Sequence, residues 1–117
     1  MALVEVTSET MENLIKENDI VVFDFWAEWC GPCKVFKEIF KEVDNEYEDI
    51  LFCTVDTGVE PKLAQHFQVR SIPCVIFFRE GILVHQHQGM LHQNAFRRLL
   101  DDVIKLDMNV VKDNLED

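Results

Sequence analysis

The chain has 117 residues, which bounds it to one domain around one core. Apolar residues make up 48%, nine of them Phe, so a packed globule rather than a disordered chain is expected. Eleven basic against twenty-two acidic side chains leave a net charge of −11. That sign disfavours nucleic acid and anionic membranes as partners, and serves either solubility or steering toward a basic patch on a partner.

In chain order, Met1–Val6 lacks a basic stretch followed by a long apolar one, so no targeting signal is expected. No apolar run has transmembrane length, Cys74–Phe78 being strand-sized. The expected location is the cytoplasm. Leu3–Val6 reads as a short edge strand. Ser8 is a candidate N-cap for a first helix that places Met11, Leu14 and Ile15 on one face. Ile20–Trp26 is apolar and β-branched, the pattern of a buried strand, with one carboxyl, Asp24, inside it. A helix is expected over Pro32–Tyr47, with Phe36, Ile39, Phe40, Val43 and Tyr47 on one stripe. A strand follows over Ile50–Asp56, then a short helix over Glu60–Phe67 with Pro61 in its first turn. Cys74–Arg79 and Ile82–Gln86 read as a hairpin turning at Glu80-Gly81. A last helix is expected over His92–Leu106, and an acidic tail from Asp107 extends it or frays. The order β-α-β-α-β-α-β-β-α implies a mixed sheet with helices on both faces.

Four cysteines are present, and only Cys30 and Cys33 have redox spacing. They sit where the buried strand gives way to the second helix. Unpaired backbone N–H groups and the positive end of the helix dipole meet there, and both stabilise a thiolate. Cys53 and Cys74 lie inside apolar runs, where a free thiol behaves as a small hydrophobe. A zinc site would need two further ligands, and His85 with His87 is a poor complement to a single Cys-x-x-Cys. His66 and His92 read as surface or loop residues.

Asp24-Phe25-Trp26-Ala27-Glu28-Trp29-Cys30-Gly31-Pro32-Cys33-Lys34 closely resembles the active-site segment of the thioredoxin family. Arg70-Ser71-Ile72-Pro73 is similar to that family's cis-proline loop, and Gly81 and Gly89 fall at its glycine positions. The resemblance runs from about Leu3 to Leu106. It implies the thioredoxin fold, a central mixed five-stranded sheet flanked by four helices, over residues 1–106, with 107–117 as an acidic C-terminal extension.

The resemblance also implies a protein disulfide reductase. Cys30, the more exposed sulfur, is then the nucleophile and Cys33 the resolving thiol, cycling through a Cys30–Cys33 disulfide. Asp24 would lie behind Cys33 and move a proton; otherwise it is a structural carboxyl on a strand end. Trp29, Gly31, Pro32, Ile72, Pro73, Gly89 and Met90 would form the substrate platform. A cis bond at Pro73 would turn the Ile72 backbone toward an extended substrate segment. The Gly-Pro dipeptide resembles the reducing members.

No bound cofactor is implied. Electrons would come from NADPH through the FAD of a thioredoxin reductase, and pass to disulfide-containing proteins. A monomer is expected. Two departures stand out. Glu38 occupies the position of a helix-kinking proline. Phe52 aligns with a lysine that many relatives place beside the buried Asp, which would leave Asp24 without a nearby cation. Cys74, after Pro73, is either an inert core thiol or a rim thiol open to regulatory oxidation. The competing reading is an interaction or holdase module with little redox turnover.

Overall fold

The computed structural model describes residues 3–115. Five strands form one sheet: β1 (Val4–Glu5), β2 (Ile20–Trp26), β3 (Ile50–Asp56), β4 (Cys74–Arg79) and β5 (Ile82–Gln88). Their spatial order is β1-β3-β2-β4-β5. β1 and β2 flank β3 in parallel, while β4 runs antiparallel to β2 and β5 antiparallel to β4. The helices are α1 (Met11–Glu17), α2 (Gly31–Asp44), α3 (Pro61–His66), α4 (Gln93–Lys105) and α5 (Met108–Leu115). Among the described residues there are thus five helices rather than the expected four.

Alternation along the central strands creates two cores. Ile20 and Val22 join Phe52, Val75 and Phe77 on one face, where Phe36, Phe40 and Val43 of α2 and Phe96, Leu100 and Val103 of α4 cover them. Phe40 stacks on Phe96 with ring centres 5.6 Å apart, and Phe52 meets Phe40 edge-on at 5.0 Å. Val21, Phe23, Phe25, Cys74, Ile76 and Phe78 point to the other face, beneath Met11 of α1 and Leu63 and Ala64 of α3. A carboxyl at position 24 therefore belongs to the α2 side, two residues on from Val22.

The differences from the sequence expectations have local causes. Ser8 does not cap α1; Thr10 precedes the helix, and the Ser8 N–H instead donates to Glu60 Oε1 at 2.6 Å. α2 stops at Asp44, and Tyr47 leaves the helical stripe to donate its hydroxyl to Asp101 Oδ1 at 2.8 Å. α3 spans only Pro61–His66, and β5 runs two residues past Gln86.

As far as residue 115, the tail forms a helix of its own rather than extending α4. Leu106 leaves helical geometry, and Asp107 Oδ1 accepts from the Asn109 N–H at 3.0 Å, capping a separate helix. Met108 is buried, and Lys112 pairs with Glu80 at 2.6 Å. The expected extension is described as far as residue 115; Glu116 and Asp117, like Met1 and Ala2, lie outside the described residues. The Glu80-Gly81 turn forms as expected, with positive φ at both residues (51° and 80°).

Candidate active site

Cys30 and Cys33 are joined as a disulfide with their Cα atoms 5.3 Å apart. Cys30 is the N-cap of α2, in extended conformation, and its Sγ accepts the Cys33 N–H at 3.2 Å. That bond uses one of the orphan donors of the helix start, and the helix dipole adds to it. A negative charge on Cys30 Sγ is thus met by a fixed donor, the arrangement that lowers a thiol's pKa. Pro32 stands in the first turn, where a missing N–H costs nothing. A Cβ on Gly31 would meet open space, so crowding does not demand glycine there.

Both cysteines are buried as residues, Cys30 at 4% exposure and Cys33 at 1%. The expected contrast in exposure is small; their surroundings differ more. Cys33 begins the inward stripe that continues through Phe36, Phe40 and Val43. Cys30 faces the cis-proline loop, its Sγ 3.8 Å from the Ile72 carbonyl oxygen. The Ile72–Pro73 peptide bond is cis. Pro73 accepts the Gly89 N–H at 2.8 Å, and Gly89 has φ +99°, a conformation that suits glycine. Met90 is half-buried against the α2-side core. Trp29 is 81% exposed beside the dithiol, whereas Trp26 packs against the Ala27, Cys30 and Cys33 cluster.

Asp24 is fully buried, and neither carboxyl oxygen has a hydrogen-bond partner among the described residues. Its strand neighbours are Thr54 and Val75. Burial raises its pKa to about 7, against the pull of Lys37. This corrects the expectation that no cation stands near Asp24. Phe52 does fill the apolar core, but α2 supplies Lys37, whose Nζ lies 4.3 Å from the centre of the Trp26 ring.

Cys74 is a core residue, not a rim one. It is fully buried on the α1 and α3 face, its Sγ 3.6 Å from Gln86 Nε2, and burial pushes its thiol pKa up.

Sequence reasoning missed Lys37, Gln86 and Gln88. Lys37 was visible only as one of several basic residues on the outer face of α2. The glutamines act on a segment distant in sequence, and no spacing rule marks them. Gln88 Oε1 accepts from the Arg70 and Ser71 N–H groups at 2.8 and 2.9 Å, and its Nε2 donates to Gln68 O at 3.1 Å. Among the described residues, no group of three or more His, Cys, Asp or Glu is placed to hold a metal ion, and no helix is long and apolar enough to cross a membrane. A cavity of about 620 Å³ lined by Asp19, Glu46 and Arg79 lies at the opposite end of the sheet from the dithiol.

A dithiol–disulfide pair at a helix start, facing a cis-proline loop, defines a thiol-disulfide oxidoreductase site on a thioredoxin-type sheet. Residues 2–102 match the family model described as Thioredoxin. The chain is 38% identical over 109 residues to the putative thioredoxin 2 of Streptomyces coelicolor, covering 93% of this chain and 81% of that protein. It is 35% identical to a thioredoxin of Mycobacterium bovis over 88% of this chain and 90% of that one. The oxidised mitochondrial thioredoxin 3 of Saccharomyces cerevisiae superposes with a TM-score of 0.80 at 30% identity, over 86% of this chain and 94% of that one. The chain belongs to the thioredoxin family, and it is a thiol-disulfide oxidoreductase.

Proposed function

We propose that the protein works as a protein disulfide reductase, with Cys30 as nucleophile. The Cys30 thiolate attacks one sulfur of a substrate disulfide; the Cys30–substrate bond forms, and the substrate's other sulfur leaves as a thiolate. Cys33 then loses its proton to Asp24 and attacks Cys30 Sγ. The Cys30–Cys33 disulfide forms, the second substrate sulfur leaves, and two electrons have passed to the substrate. A donor of the thioredoxin reductase type, using FAD and NADPH, would reverse the bond change; the protein itself binds no cofactor in this scheme.

The observation that carries the reading is the Cys33 N–H aimed at Cys30 Sγ. It favours the charge on the attacking sulfur and leaves Cys33 on the inward face of α2, the side of the sheet to which position 24 belongs. A carboxyl with a pKa of about 7 is poised to take a proton and return it near neutrality. Trp29, Gly31 and Pro32 would flank the substrate on one side. Ile72, Pro73, Gly89 and Met90 would flank it on the other, with the Ile72 backbone pairing to an extended chain. The catalytic unit is assigned to residues 1–106, acting as a monomer in the cytoplasm, with 107–117 as an accessory acidic extension.

A binding module without turnover needs no helix-capped dithiol that closes to a disulfide, which disfavours that alternative. The test is insulin reduction driven by NADPH and a thioredoxin reductase, with Cys30→Ser in parallel. Turnover lost in the variant supports the scheme. Turnover with dithiothreitol alone reassigns the electron donor, and no turnover with either overturns the reductase reading.

A further inference from the structure

We propose that Gln88 is a positioning residue for the substrate loop, and that it sets a preference for disulfides carried in extended protein segments over small disulfides. The inference rests on the proposed pairing of the Ile72 backbone with substrate.

Segment 67–71 joins α3 to the cis-proline and has no strand partner among the described residues. It begins in a demanding conformation. Gln68 has φ +55° and closes α3 as a left-handed cap, with the Val69 N–H on Ala64 O at 2.9 Å and the Gln68 N–H on Gln65 O at 3.1 Å. Glycine usually fills that position, because a Cβ there is strained.

Two side chains of β5 hold this segment. Gln86 Nε2 donates to Phe67 O at 3.1 Å. The Gln88 carboxamide acts as a substitute peptide group. It donates to Gln68 O and accepts from both Arg70 and Ser71 N–H, at 2.8–3.1 Å. The residue after β5 completes the grip, since the Gly89 N–H donates to Pro73 O at 2.8 Å. Gln88 and Gly89 thus bracket Ile72, one from before and one from after. Its carbonyl is the group that stands 3.8 Å from Cys30 Sγ.

A substrate that pairs with the Ile72 backbone binds best to a loop already fixed in place. A small disulfide that meets only Cys30 gains nothing from it. Gln88 is solvent-exposed, so water can replace its bonds when it is removed. The fold then survives, and the loss falls on loop order.

The test uses the reduced protein freed of dithiothreitol and follows single-turnover oxidation by tryptophan fluorescence. In Gln88→Met, the insulin concentration giving half the limiting rate should rise about fivefold. The limiting rate, and the rate with 2-hydroxyethyl disulfide, should stay within twofold. Gln88→Glu keeps the acceptor for Arg70 and Ser71 and should fall between Met and wild type. An unchanged half-saturation in Gln88→Met overturns the proposal, as does equal slowing with both disulfides. Should that variant not fold, amide exchange of Arg70 and Ser71 in the wild type decides: protection supports the clamp, and exchange at open-loop rates overturns it. A wild type inert toward both disulfides would defeat the reductase reading instead, and the exchange result would still judge the clamp.

Discussion

The ammonium of Lys37 stands 4.3 Å from the centre of the Trp26 ring, at the end of the strand that carries Asp24 two residues earlier. The aromatic face holds the cation, and the cation pulls the Asp24 pKa down while burial drives it up to about 7. Burial wins, and Lys37 limits the margin. Lys37→Met should therefore raise the Asp24 pKa further. An increase of about one unit would cut the ionised fraction at pH 7 from about a half to about a tenth. The rate at which Cys33 resolves the mixed disulfide should then drop several-fold at pH 7 and recover at higher pH. Lys37→Arg should retain the wild-type profile. Stopped-flow measurement of the resolving step from pH 6 to 9 checks this; an unshifted profile in Lys37→Met would show that the charge does not reach Asp24.

Asp24 should also make stability fall with rising pH. Its ordinary pKa of 3.8 rises to about 7 in the fold, so between those values the native state keeps a proton that the unfolded chain has lost. The neutral acid is accommodated below about pH 4, and the cost of burying the carboxyl grows from there until pH passes 7 and the native group ionises too. Asp24→Asn removes that cost. The variant should gain little near pH 4 and up to about 4 kcal/mol above pH 7, read from urea unfolding at both pH values. A gain independent of pH would mean that the effect is packing rather than ionisation.

Cys33→Ser should stop the cycle halfway. The substrate would remain joined to Cys30, because no second sulfur attacks it. A covalent adduct with insulin chains should appear on a non-reducing gel and vanish with dithiothreitol. Lack of an adduct would remove Cys30 from the attacking role.

Cys53 and Cys74 should resist alkylation in the folded, reduced protein. Both are fully buried, and burial raises both thiol pKa values, that of Cys53 to about 12. Iodoacetamide at pH 8 should label Cys30 first and leave Cys53 and Cys74 unmodified until urea unfolds the chain. Mass spectrometry of digests reads the order. Early labelling of Cys74 would reopen a regulatory role for it.

Arg79 works at the end of the sheet away from the dithiol. Its Nη1 donates to the carbonyls of Val103, Ile104 and Leu106 at 2.8–2.9 Å, satisfying the C-terminus of α4 with a charge that suits the helix dipole. Arg79→Met should cost about 2–3 kcal/mol of stability without changing insulin kinetics. Urea unfolding and the reductase assay together separate those effects.

By itself, the sequence determined the core strands and the dithiol. β2, β3 and β4 fall at the expected residues because their signals are local: apolar β-branched runs bounded by turn residues, and a Cys-x-x-Cys where a strand meets a helix. The same local chemistry marks Glu80-Gly81 as a turn. Only the tertiary structure decided what surrounds the sulfurs. The cation near Asp24 comes from α2 rather than from the β3 position occupied by Phe52, since a side chain's reach depends on how two elements pack. The placement of Cys74 depended on which side of the sheet its position faces, once register with Phe25 was set. Gln88 governs a segment 17 to 20 residues earlier in the chain. A carboxamide finds such backbone partners only after the chain has folded back on itself, so no spacing within the sequence records them.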